Sequence, residues 1–375
     1  MKIAINARFL QSGQLEGFGW YTHEIVRRMV LANPSVEFLF LSDRPLDPAF
    51  IYGPNVTPLI LSPRARFAPM FLWWFEHSVR KALKKHQVDV FFSPDSMCSL
   101  RSKVPVVMTC HDLVPIHFPE QIAWIHRYFI LTFLPKYLRR ADKVITVSHY
   151  VRQDILQTFN LPGQRVQTIY NGCRDGFQPL NESEKEAVKR QYSEGKPYFF
   201  YAGAIHPRKN IHRLIRAFDL FKERTGSPEK LLLAGRFAWK TGEVKEAYDN
   251  ARYRADILFL GYVPEEDLPR LTAAARALTY VSISEGFGLP MLEAMYCDTP
   301  VMAANASCLP EIAGDAALLV DPLSVEQMAD GLERLSKDIE LTQDLIAKGR
   351  AQRKLFSWDQ AAAEVFKVIT EVKKP

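Results

Sequence analysis

Residues 284–295 read SEGFGLPMLEAM, with Glu285 and Glu293 eight positions apart around Gly286-Phe287-Gly288-Leu289-Pro290. The stretch follows an apolar run, ALTYVSI (277–283), that reads as a buried strand, and it leads into a helix. Pro290 suits the first helical position, and Leu289 before it has no side chain able to cap the first N–H groups. Uncapped N–H groups at the positive end of a helix dipole form an anion site. Gly286 and Gly288 would let a ligand approach the backbone closely. Glu285 then stands at the strand's carboxyl end, and Glu293 about one turn inside the helix. A carboxylate there can accept hydrogen bonds from paired hydroxyls, as on a ribose. A phosphate held between two polyol groups describes a nucleotide sugar. The alternative is that both glutamates merely complement the helix N-terminus.

Working outward, strand and helix patterns alternate, which argues for a parallel α/β architecture. KIAINA (2–7), VEFLFLS, VDVFFS, PVVMTCHD and KVITVS are strand candidates in the first half. WYTHEIVRRMVLA (20–32) reads as a helix, and Ser148 as the N-cap of HYVRQDILQTFN. A polar stretch, 171–197, interrupts the pattern. A second series then follows: YFFYAGAI, KLLLAGR, DILFLGYV, ALTYVSI, PVMAAN and AALLVD, with helices between. The expected domains are 1–172 and 173–356. A C-terminal helix, 357–375, is expected to pack back on the first. Both domains read as Rossmann-like, with parallel sheets facing across a cleft, because open parallel sheets bind ligands beyond their strands' carboxyl ends.

The 375 residues exceed one ordinary core, and the 47% hydrophobic and 24% charged content is that of a water-soluble globular chain. A net charge of +6 requires no anionic partner, and without a recognisable module it argues against nucleic-acid binding. Five cysteines (98, 110, 173, 297 and 308) are odd in number and lack metal-site spacing, as expected of free thiols in a reducing compartment. The N-terminus, MKIAINARF, lacks an apolar signal region, and no run of about 18 apolar residues is present. The expected location is therefore cytoplasmic.

Four other stretches carry chemistry. In YFFYAGAIHPRKNIHRLIRAF (198–218), Asn210 reads as an N-cap, and Ile211, Leu214, Ile215 and Phe218 line one helix face. Arg208 and Lys209 precede that helix, where cations are misplaced unless an anion joins them. A diphosphate would fit, and two solvated surface cations are the alternative. In GFGWYT (17–22), Gly17 and Gly19 either approach donor phosphates or form a plain turn. In VVMTCHDLVP (106–115), His111 sits at a strand's carboxyl end, where a lone histidine is ordinarily structural. SPRARFAPMFLWWFEHSVRKALKKH (62–86) sets Arg64, Arg66, Arg80, Lys81, Lys84 and Lys85 around Phe67, Phe71, Trp73, Trp74 and Phe75. That composition suits a membrane interface, or else a helix with a buried aromatic side and a solvated basic end. No Asp-x-Asp motif or metal-ligand spacing occurs in the chain.

EGFGLPMLEAMYCDTPV resembles the E-x7-E signature of retaining family-four glycosyltransferases, which have the GT-B fold. FLGYVPEEDLPRLTAAARA and LPEIAGDAALLVDP flank it as they do in that family, and the resemblance extends over most of the chain. It implies that Glu285 lies near the donor sugar and that Glu293 binds the ribose. Backbone at Phe287, Gly288 and Leu289 would meet sugar and phosphate, and Arg208 and Lys209 the pyrophosphate. Gly17 and Gly19 would face the donor phosphates, and His111 would hydrogen-bond the donor sugar at the reaction centre. HDLVP and PRKN most resemble bacterial mannosyltransferases of cell-surface polysaccharide assembly. The expected donor is therefore GDP-mannose, with a UDP- or dTDP-sugar as the alternative, and the acceptor a glycan or lipid-linked glycan. No cofactor or metal is expected. A lipid-linked acceptor would place the protein peripherally on the inner membrane face through 62–86. A non-catalytic nucleotide-sugar-binding protein on the same fold is the rival.

Overall fold

A computed structural model of the chain describes residues 1–372 except 14, 16, 66 and 238–240. The chain divides into two compact units, Met1–Asn171 with Ser357–Pro375, and Gly172–Phe356.

Among the described residues, the sheet of the first unit comprises β1 (Lys2–Asn6), β2 (Glu37–Ser42), β3 (Val56–Ile60), β4 (Val90–Ser93), β5 (Val106–Cys110), β6 (Lys143–Thr146) and β7 (Val166–Thr168). Their order is β3-β2-β1-β4-β5-β6-β7, and every pairing is parallel. The second unit comprises β8 (Tyr198–Ala202), β9 (Lys230–Ala234), β10 (Ile257–Gly261), β11 (Ala277–Tyr280), β12 (Val301–Ala304) and β13 (Leu318–Val320). Its order is β10-β9-β8-β11-β12-β13, again parallel throughout. Each is a doubly wound sheet, and the winding reverses at β1/β4 in one and β8/β11 in the other. Ligand crevices form at such reversals, beyond the carboxyl ends of the strands.

Central strands read as unbroken apolar runs because helices cover both faces. VFFS, VVMTC and YFFYA are buried at every position, and so is KLLLA, where the Lys230 ammonium pairs with Glu194 at 2.8 Å. In the helix Ile211–Thr225 the stripe Ile211, Leu214, Ile215 and Phe218 is fully buried. Ser148 accepts a hydrogen bond from the Val151 N–H at 3.2 Å and starts the helix His149–Phe159. The first helix, Gly17–Ala32, starts three residues before the apolar pattern does. The C-terminal helix, Trp358–Glu371, belongs to the same unit; Trp358 packs edge-on to Tyr21 at 6.0 Å, and Asp359 pairs with Arg28 at 2.6 Å. The polar stretch after Asn171 contains a helix the apolar pattern does not announce, Glu182–Ser193, opened by a reciprocal capping box between Asn181 and Glu184.

In the segment 62–86 the two adjacent tryptophans lie in different surroundings. Trp73 is 55% exposed, whereas Trp74 is fully buried and donates its indole N–H to the Leu61 carbonyl at 2.9 Å. Consecutive helical residues point about 100° apart, so Trp73 can lie outside while Trp74 turns inward. A π-helical stretch, Trp74–Val79, follows the α-helix Ala68–Trp73, and both Trp74 and Phe75 face the core. Arg64, Arg80, Lys81, Lys84 and Lys85 are exposed; Arg66 lies outside the described residues. Truncation to alanine should separate the two tryptophans. Trp74→Ala is expected to lower stability by about 3–5 kcal/mol and Trp73→Ala by no more than about 0.5 kcal/mol, as measured by chemical denaturation.

Candidate active site

At the β8/β11 reversal two loops meet, 203–210 after β8 and 281–288 after β11. The Ile283 N–H donates to the Arg208 carbonyl at 2.8 Å. Arg208 Nη1 donates to the Ser284 carbonyl at 2.9 Å and to Glu285 Oε2 at 2.8 Å. Lys209 Nζ donates to Glu285 Oε1 and, at 3.0 Å, to the Tyr280 hydroxyl. The Tyr280 ring also lies 5.1 Å from that ammonium and stacks on Tyr201. Behind Glu285, its own N–H donates to Ser307 Oγ at 3.1 Å. Burial alone would raise the Glu285 carboxyl, which is 7% exposed, but the charges of Lys209 and Arg208 outweigh burial and hold it at about 2.

This arrangement supplies a partner that the sequence did not name and corrects one expectation. The cations before the helix Ile211–Thr225 do have an anion, and it is Glu285. Asn210 stands at the cap position with φ +62° but does not cap; its amide donates to the Val281 and Pro322 carbonyls at 3.1 and 2.6 Å. It ties the loops together instead.

The opening motif also shifts by a few residues. Strand β11 ends at Tyr280, not Ile283, so Glu285 lies in the loop beyond it. The helix is Leu289–Tyr296 with Gly288 at the cap and Pro290 second, and no side chain caps it. Gly288 has φ +99°, and a Cβ there would come within 3.0 Å of Leu309, so the position demands glycine. Leu289 is half-buried, and Phe287 is buried with its ring edge-on to Phe356 at 5.6 Å. Glu293 is 3% exposed, and its Oε1 lies 2.8 Å from Arg174 Nε and 2.7 Å from Nη2. Arg174 has no counterpart among the residues singled out from the sequence. A cation in the loop of NGCRDGF carries no local signal of its distant partner.

His111, Gly17 and Gly19 belong to the first unit. His111 follows β5 and packs against Phe18 and Tyr21, with ring centroids 4.8 and 4.7 Å away. Burial lowers its pKa to about 4, so the ring is neutral at pH 7. Its Nε2 lies 2.8 Å from the Pro94 carbonyl, which fixes the proton on Nε2 and leaves Nδ1 as an acceptor. Gly17 opens the first helix and is exposed. Gly19 is buried, and a Cβ there would meet the Phe9 carbonyl at 2.9 Å; its bareness serves packing against that carbonyl. Among the described residues no three His, Cys, Asp or Glu side chains gather as a metal site, and no helix is long and apolar enough to cross a membrane.

A doubly wound parallel sheet in each of two units, with a carboxylate and two cations at a strand reversal, is the GT-B architecture of glycosyltransferases. The fold is shared with Anabaena Alr3699/HepE, whose crystal structure is a complex with UDP and glucose (TM-score 0.76, 20% identity, 99% of this chain and 100% of that one). It is shared also with WaaG, a glycosyltransferase involved in lipopolysaccharide biosynthesis (TM-score 0.76, 15% identity, 99% and 100%). The family model for Glycosyltransferase Family 4 matches residues 15–175, and that for Glycosyl transferases group 1 matches residues 182–352. The chain is 30% identical to O-antigen chain mannosyltransferase B of Escherichia coli over 93% of its own length and 94% of the relative's. It is 27% identical to the O-antigen chain mannosyltransferase RfbU of Salmonella typhimurium, over 77% and 79%. The chain belongs to the family-four glycosyltransferases and is akin to the bacterial O-antigen mannosyltransferases.

The ionised Glu285 implies a definite acid response. Its folded pKa lies below the ordinary value, so its contribution to stability is present above pH 4.5 and is lost as pH falls towards 2. Glu285→Gln should be less stable than wild type at pH 7 and should lose less stability between pH 5 and 2, as read by urea unfolding across that range.

Proposed function

We propose that the protein transfers a hexose, with mannose from GDP-mannose as the first candidate, onto a glycan or lipid-linked glycan in surface-polysaccharide synthesis. The transfer retains the anomeric configuration and needs no divalent metal. The observation that carries this reading is the pair Arg208 and Lys209 converging on Glu285 at the β8/β11 reversal. Two cations against one carboxylate leave one net positive charge. The uncapped end of Leu289–Tyr296 adds roughly half a charge more. A departing diphosphate would be stabilised by that charge, which is worth most where water is excluded. In the proposed step the acceptor hydroxyl attacks the anomeric carbon on the face from which the diphosphate leaves. The C–O bond to the diphosphate breaks as the new glycosidic bond forms, and the hydroxyl proton passes to the leaving phosphate. Glu285 orients the sugar while keeping the cations in place.

The test is incubation with GDP-mannose and a glycan acceptor in excess EDTA, with the product followed by NMR. The expected product is the α-mannoside. An inverted product would overturn retention, and loss of turnover restored by manganese would overturn metal independence. Binding without turnover for GDP-, UDP- and dTDP-sugars alike would favour the non-catalytic rival.

The same reading places the protein on the inner face of a membrane. Trp73 and Phe67 are exposed, and so are Trp124 (77%), Ile125, Tyr128 and Leu131 on the helix Trp124–Arg140. Phe71 and Phe129 pack the two helical segments together at 6.2 Å. The exposed cations Arg80, Lys81, Lys84, Lys85 and Arg127 would be attracted to anionic headgroups by up to about 1 kcal/mol each, while the aromatic contribution would not depend on salt. Binding to phosphatidylglycerol vesicles should weaken but persist as salt rises. Lys81, Lys84 and Lys85 changed together to Glu should reduce it without unfolding the protein. No binding at low salt would favour a soluble acceptor.

A further inference from the structure

Glu293 is the second carboxylate of the opening motif, and its surroundings show a feature that the motif does not contain. The carboxylate is almost wholly buried on the helix Leu289–Tyr296. Burying a carboxylate without a partner is costly enough to force pairing or neutralisation. The partner is Arg174, three positions after the division between the units at Asn171. Arg174 meets Glu293 one-sidedly, with Nε at 2.8 Å and Nη2 at 2.7 Å from the same oxygen, Oε1. The Nε–H donates a hydrogen bond to that oxygen, and Nη2 of the same guanidinium makes a close ion-pair contact with it. Among the described residues, Oε2 takes no hydrogen bond. The guanidinium is itself held in place, since its carbon lies 5.2 Å from the Phe177 ring centroid, and Phe177 packs with Ala273 and Cys297.

We infer that Arg174 is a positioning residue for the donor: it commits Oε1 of Glu293 to the protein and presents Oε2, in one fixed orientation, to the ribose hydroxyls. The inference rests on the reading of this unit as the nucleotide-sugar site. A glutamate has three rotatable bonds, and a carboxylate free to turn would have to be ordered each time a nucleotide bound. The ion pair meets that ordering cost during folding, so the hydrogen bond to the ribose is gained in full. It also favours one-oxygen recognition of the ribose, since Oε1 is already committed to the Arg174 guanidinium.

The test uses calorimetry with GDP and UDP, each beside its 2′,3′-dideoxy counterpart, on wild type, Arg174→Ala and Arg174→Lys. Wild type should bind the ribonucleotide at least roughly tenfold more tightly than the dideoxy form, as befits a hydrogen bond to a charged acceptor. Arg174→Ala should bring that ratio close to one, and Arg174→Lys should give an intermediate ratio. Dideoxy affinity should stay the same in all three, which a general loosening of the unit would not produce. If wild type shows no preference for the ribose, or binds neither nucleotide, the nucleotide-site reading of Glu293 fails and the inference falls with it. If wild type shows the preference and Arg174→Ala keeps it, the reading stands and the role of Arg174 is overturned. Should the alanine variant not fold, Arg174→Lys decides: an unchanged ratio overturns the inference, and an intermediate ratio supports it.

Discussion

The pairing of Glu285 with Arg208 and Lys209 is the constraint on which the second unit's functional edge depends. It joins loops whose residues are 76 and 77 positions apart in the chain. Buried charges left alone are far more costly than buried charges that are paired, so the two loops are held in one arrangement. The backbone bond from Ile283 to Arg208 and the amide of Asn210 fix the same arrangement from either side. A ligand entering here meets a preset electrostatic pattern. The ligand that such a pattern favours carries more negative charge than one carboxylate supplies, which is why a diphosphate fits the proposed role.

Glu293 shows the same logic on the neighbouring helix. Its partner comes from a different loop, and the geometry differs in kind. Glu285 has both oxygens engaged by cations, whereas Glu293 has one oxygen engaged twice. The two carboxylates of one sequence motif are therefore set up for different work. In the first unit, His111 follows a third pattern, in which burial and one carbonyl keep it neutral with a defined tautomer.

Much of this was legible in the chain. The central strands, the buried helix face 211–218 and the Ser148 cap follow from local apolar periodicity and capping chemistry, and the structure places them accordingly. The two edge strands of the first sheet were not legible. β3 is VTPLI, mostly exposed and interrupted by Pro58, and β7 is only three residues long. Edge strands need neither a continuous apolar run nor every N–H, so their sequences resemble loops. The helix Glu182–Ser193 did leave a signal, Asn181 with Glu184, which the surrounding polar composition concealed.

The sequence by itself determined the doubly wound class, the family and the residue types that gather at the site. Those rest on short-range patterns: period, caps, glycines and the spacing of Glu285 and Glu293. Only the tertiary structure decided which charges meet. It turned Trp74 inward and left Trp73 outside, redirected Asn210 from capping to cross-linking, gave Gly19 to the Phe9 carbonyl, and matched Arg174 to Glu293 across 119 positions. The reason is physical. A charge or an amide carries no record in its neighbours of the partner it will meet, and the cost of burying it unpaired is settled only when distant segments pack.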